Sequence, residues 1–134
     1  AGWFGEFKLK PGTMFPAEKH AAKMKFNEFN YQELPYIDFD KIAPLIPNKE
    51  AIHSFRISDC NLTDWPSLLF ECENVTNINF YNNHIHLCDP RVKNLTKLRT
   101  ITLWDNPILE DTEQMNVLKS ILPEGCRIEK RNTD

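Results

Sequence analysis

The chain has 134 residues, 41% of them apolar, which suits one compact domain with an arm and leaves little room for two. Its formal charge of −3 argues against nucleic acid as a partner, because a binder of phosphate backbones needs a surplus of cations. The apolar runs are a few residues long, far below the about 20 that a membrane-crossing helix requires, and no basic segment leads into an apolar core of the kind that directs secretion.

Residues 1–28 hold Lys8, Lys10, Lys19, Lys23 and Lys25 against Glu6, Glu18 and Glu28, so the net negative charge belongs to the rest of the chain. Trp3, Phe4, Phe7, Met14 and Phe15 are interleaved with Pro11, Gly12 and Pro16. This pattern predicts an extended aromatic arm, followed by a helical turn or two around 17–26. Two readings stand open: the arm folds back on the domain's own edge, or Trp3, Phe4, Phe7 and Phe15 lie across a partner, since clustered aromatics are seldom left to water.

In 29–51, the residues Phe29, Gln32, Leu34, Ile37 and Phe39 stand 23 positions before the apolar set of the next segment, and Ile42 and Ile46 continue the series. Pro35, Pro44 and Pro47 interrupt it. The segment reads as a degenerate repeat or as an irregular N-terminal cap.

Residues 52–110 carry three copies of one pattern. The first is Ile52, Phe55, Ile57, Cys60, Leu62; the second is Val75, Ile78, Phe80, Asn83, Ile85; the third is Leu98, Ile101, Leu103, Asn106, Ile108. Every position advances by 23. Two further series, Leu69, Val92, Met115 and Cys72, Leu95, Leu118, keep the same period. This resembles the leucine-rich-repeat (LRR) signature L-x-x-L-x-L-x-x-N/C-x-L. The resemblance covers roughly 29–130 and implies an α/β solenoid, with short parallel strands on a concave face and helical or irregular segments behind them. One coil cannot bury its own apolar face, so stability is shared between neighbours.

From 111 to 134 the chain reads as a C-terminal capping helix and tail. Asp111 suits an N-cap with Gln114 three residues on, as in a capping box. Met115, Leu118, Ile121 and Leu122 share one helical face before Pro123 and Gly125 end it. The tail Leu122-Pro-Glu-Gly-Cys-Arg-Ile128 is expected to add a last partial strand.

Chemistry is sparse. His84, His86 and Cys88 alternate like metal ligands, but the period places them in a bend and its following segment, with no fourth ligand in view. Cys60 fills the Asn/Cys position of the repeat, so a nucleophilic role beside His53 is not expected. No GxSxG, HExxH or phosphate-cradling loop occurs, and Glu71/Glu73 and Glu110/Asp111 suit solvated surfaces. Neither a catalytic residue nor a metal or other cofactor is expected. Cys60, Cys72, Cys88 and Cys126 are dispersed and read as reduced thiols of an intracellular protein. The sequons at Asn61, Asn74 and Asn94 keep open a secreted, glycosylated recognition protein as the alternative, and zinc on His84, His86 and Cys88 would mark a metal protein or enzyme.

Strand alternation assigns the outward columns: Ser54, Asn77, Thr100; Arg56, Asn79, Thr102; Ser58, Tyr81, Trp104; and Asp59, Asn82, Asp105. Neighbouring parallel strands lie about 4.8 Å apart, so Tyr81 and Trp104 are expected side by side on the open face. Arg56, Ser58, Asn79, Tyr81, Thr102 and Trp104 are the expected partner-binding residues. The resemblance implies a non-catalytic protein-interaction module, an accessory subunit of a larger intracellular assembly, mitochondrial or cytosolic. Such a chain is similar in design to the ATP synthase coupling factor B type or to phosphatase-binding regulatory LRR proteins. Protein partners are expected, and neither nucleic acid nor a small-molecule substrate is.

Overall fold

The computed structural model describes residues 28–32, 38–46 and 48–129. The aromatic arm with Trp3, Phe4, Phe7 and Phe15 lies outside the described residues, as do Leu34, Ile37 and the tail from 130 onward.

Five short strands form one parallel sheet whose order follows the chain: β1 (Glu28–Gln32), β2 (Ser54–Ser58), β3 (Asn77–Asn79), β4 (Thr100–Thr102) and β5 (Arg127–Glu129). Parallel neighbours cannot be joined by a tight hairpin, so each connection must travel the length of a strand before the next begins. The connections carry α1 (Phe39–Ile42), α2 (Ser67–Glu71), and 3₁₀ turns at Ala43–Leu45, Lys49–Ala51, Pro90–Asn94 and Pro107–Glu110. Among the described residues, only α3 (Thr112–Ile121), after the third repeat, exceeds five residues. Helix content is low for a physical reason. A 23-residue turn must hold a strand, a bend and two crossings, and prolines at 90 and 107 start their turns in 3₁₀ form.

Register follows the repeat in the middle of the sheet. Ser54 pairs with Asn77 and Asn77 with Thr100, each 23 residues apart. The inward columns are therefore continuous: Phe55, Ile78 and Ile101 are buried in one row, and Ile57, Phe80 and Leu103 in the next. Ile52, Val75 and Leu98 are buried as well, and the same local turn precedes each, with N–H groups bonding to Lys49, Cys72 and Leu95 carbonyls. Behind the sheet, Leu68, Leu69, Cys72, Val92, Leu95, Met115 and Leu118 close the core.

The ends depart from that period. Glu28 pairs with Ser54, Phe29 with Phe55 and Tyr31 with Ile57, an offset of 26. Thr100 pairs with Arg127 and Ile101 with Ile128, an offset of 27. Residues 29–51 thus contribute a strand, but projecting the 23-residue period backward misplaces it by three positions. That projection put Gln32 in the inward row of Phe55, whereas Gln32 pairs with Ser58 on the outer face. An odd slip exchanges the two faces of a strand, and Glu28-Phe-Asn-Tyr-Gln32 alternates cleanly, so burial of Phe29 and Tyr31 decides the register. Phe29 stacks on Phe55 with ring centroids 4.6 Å apart, and Phe39 meets Tyr31 edge-on at 5.4 Å. Ile42 and Ile46 are buried beside them.

At the other end Asp111 caps α3, its carboxylate accepting from the Gln114 N–H at 3.0 Å. The reciprocal half of a capping box is missing. The Gln114 side chain turns instead to the preceding coil and accepts from the Cys88 N–H at 2.8 Å, fastening the helix to its neighbour. Among the described residues, no helix is long and apolar enough to cross a membrane.

Candidate protein-binding face

The outer face of the sheet is built from the residues that alternate with the buried rows. Its first row runs Glu28, Ser54, Asn77, Thr100, Arg127 and its second Asn30, Arg56, Asn79, Thr102, Glu129. From β1 to β4 these rows line an open concavity of about 250 Å³. Small polar side chains tie one coil to the next or to their own strand: Thr100 Oγ1 donates to Asn77 Oδ1 at 2.8 Å, and Asn30 Nδ2 donates to Glu28 Oε1 at 3.1 Å. Arg127 pairs with Glu129 at 2.7 Å on the last strand.

A third row adds the aromatic pair. Tyr81 and Trp104 are half-buried, with ring centroids 4.9 Å apart and planes tilted by 36°. The 23-residue register brings them together, since each stands two residues beyond a paired position of β3 or β4. Asn79 Oδ1 accepts from the Tyr81 N–H at 3.0 Å and holds the start of the bend.

Two expected members of the face are buried. Ser58 is 0% exposed, with Arg56 Nε donating to its Oγ at 3.3 Å; the guanidinium arm lies along it, so the hydroxyl cannot meet a partner. Thr102 is also buried, and its hydroxyl donates to Glu129 Oε2 at 3.4 Å. The accessible set is Arg56, Asn79, Tyr81 and Trp104, joined by Asp59, Asn82 and Asp105 in the following row. These last three adopt left-handed backbone, φ 57°, 54° and 60°, which Asp and Asn tolerate better than most residues. The sequence placed them outward, but alternation alone carries no signal of that turn.

Behind the bend a buried polar ladder holds the coils in step. Asn83 Nδ2 donates to the Ile57 carbonyl at 2.7 Å, while its Oδ1 accepts from the Cys60 and Leu62 N–H groups at 3.0 and 3.1 Å. Asn106 repeats this one coil on, donating to the Phe80 carbonyl at 2.6 Å and accepting from the Ile85 N–H at 3.1 Å. Cys60 takes the same place toward β1 with a thiol, 3.1 Å from the Ser58 carbonyl and 3.8 Å from that of Tyr31. It is buried and aimed at backbone, while His53 is exposed.

The remaining reactive groups do not assemble. His84 lies 3.1 Å from Asn61 Oδ1, and His84 and His86 are both exposed. Cys88 is half-buried, its thiol pushed up by burial and then by Asp89. Burial pushes Cys72 up to about 12, helped by Glu71, and raises Cys126 as well. Thiols held protonated are poor nucleophiles and poor ligands. Among the described residues, no group of three or more His, Cys, Asp or Glu side chains could hold a metal ion.

The convex side holds a feature that alternation could not reveal. Arg91 lies with its guanidinium 4.2 Å from the Phe70 ring centroid and its Nη2 2.7 Å from Asp89. Burial opposes ionisation of Asp89, but the hydrogen bonds and charge of Arg91 outweigh it and hold the carboxyl below its ordinary value. Compared with protein-family models and with curated proteins, the chain matches none.

Proposed function

We propose that the chain is a short leucine-rich-repeat solenoid that serves as a non-catalytic, protein-binding accessory subunit of a larger intracellular assembly. The fold part of this reading is supported by three central strands in 23-residue register with an inward Asn or Cys at each bend. The functional part rests mainly on one observation: the Tyr81–Trp104 pair, partly open to solvent on a face otherwise built of short polar side chains. Tyr and Trp supply large contact area with few rotatable bonds, so such a pair suits the centre of an interface. Fold analogy alone assigns no function, which is why the face and not the fold carries the proposal.

The test is mild purification of the full chain from its native source, with identification of co-purifying proteins, against the double variant Y81A/W104A. Loss of the partner with thermal stability nearly unchanged supports the reading. Retention of the partner, or a large fall in Tm, makes the pair structural and overturns it.

A further inference from the structure

We infer that the Tyr81–Trp104 pair and the carboxylates of Asp59 and Asp105 form the anchor for an arginine side chain, carried by an extended segment of the protein partner. The inference rests on the proposed binding role of this face and specifies its chemistry. Four features carry it.

The first is adjacency. Asp105 follows Trp104 directly, and Asp59, Asn82 and Asp105 share one row beside the aromatic row. Asn82 Nδ2 donates to Asp59 Oδ1 at 2.6 Å, and Asn82 N–H bonds the Trp104 carbonyl at 2.9 Å, so row and rings are held together.

The second is charge. The carboxylates add two negative charges in the row that follows the pair, and neither described cation of this face is ion-paired with them. Arg127 is paired with Glu129 at 2.7 Å, and Arg56, whose Nε donates to the neutral Ser58 hydroxyl, keeps its charge on the β2 side of Tyr81. Asp105 is exposed and has no hydrogen bond or ion pair among the described residues. An incoming cation is therefore drawn to the Trp104 end, over β4.

The third is that the backbone does not require the charge. The three residues share a left-handed conformation, and the middle one is Asn. Asn at the flanking positions would satisfy the turn equally well.

The fourth is shape. A guanidinium can stack on an aromatic face and still offer N–H groups in a fork to a carboxylate, whereas an ammonium is a point charge with no plane to stack. An apolar side chain would leave the carboxylates unpaired, and an acidic one would be repelled.

The experiment follows the Trp104 indole N–H resonance of the full chain, assigned with W104F, during titration with acetyl-Gly-Arg-Gly-Arg-Gly-amide. The citrulline, lysine and glutamate analogues are titrated in parallel. The arginine peptide is expected to shift the resonance and to bind at least about tenfold more tightly than its citrulline analogue, with lysine between them. The double variant D59N/D105N, which keeps the left-handed turn, is expected to abolish that preference, and R56Q to strengthen arginine binding slightly. Equal response to arginine and citrulline, or an undiminished preference in D59N/D105N, overturns the inference. If Y81A/W104A loses the native partner while the peptides show no preference, the binding role of the face stands and its arginine chemistry falls. If the double variant keeps the native partner, the binding role itself falls.

Discussion

The middle coils and the end coils are built by different rules. Between β2 and β4 every coil is 23 residues, the buried rows are unbroken, and each bend is tied to the coil before it by Asn83 or Asn106. At the ends the offsets are 26 and 27, a thiol replaces the amide toward β1, and β5 carries a surface ion pair and a half-buried Ile128. A middle coil must match a neighbour on both sides, so its length and its polar rung are constrained twice. An end coil matches one neighbour only and can trade regularity for local packing, such as the Phe29–Phe55 stack. Regularity in this sheet is therefore a property of position within the stack.

The sharpest way to break this contrast is Asn83→Ala. It strands the Cys60 and Leu62 N–H groups and the Ile57 carbonyl, and it should lower unfolding free energy by roughly 3–5 kcal/mol in urea titration. A loss under about 1 kcal/mol would mean that the ladder does not hold the coils together.

Next comes a matched pair in one inward row. Ile78→Ala, at a fully buried middle position, should cost roughly 2–5 kcal/mol, whereas Ile128→Ala, half-buried on β5, should cost about 1 kcal/mol. Equal losses by the same titration would show that the last strand is as integral as the centre.

Asp111→Ala removes the acceptor for the Gln114 N–H and should cost about 1 kcal/mol, read as a fall in Tm. Because the Gln114 side chain docks on Cys88, hydrogen exchange of the Cys88 amide should rise in the same variant if cap and dock act together.

The smallest effect sharpens the comparison in the other direction. Cys60→Asn puts the central rung at the end coil and should stabilise by about 0.5–1 kcal/mol if its amide reaches the Tyr31 carbonyl. A lower Tm would show that the 26-residue coil no longer presents that carbonyl within reach of an amide.

Much of this could be read before any coordinates. The phased columns from Ile52 to Leu118 are buried except at Leu62, which is half-buried, because burial follows which residues return to one side. Tyr81 beside Trp104 follows from the same arithmetic, one strand spacing apart. The register of β1 was not legible by period. The decisive signal was the alternation of Phe29 and Tyr31, which a backward projection of 23 ignored. Ser58 and Thr102 lie on the expected face yet are buried, because alternation tells which face a side chain takes, not what lies over it there.

The order of apolar residues by itself determined that successive coils stack in parallel and which rows turn inward. Water exclusion needs only a repeat length and a side-chain periodicity, and both are written along the chain. Tertiary structure alone decided the lengths of the end coils, the redirection of Gln114, the covering of Ser58 and the left-handed turn at Asp59, Asn82 and Asp105. Each of these depends on what a neighbouring coil places within hydrogen-bond or van der Waals reach, and that reach is set by packing, not by any periodicity in the chain.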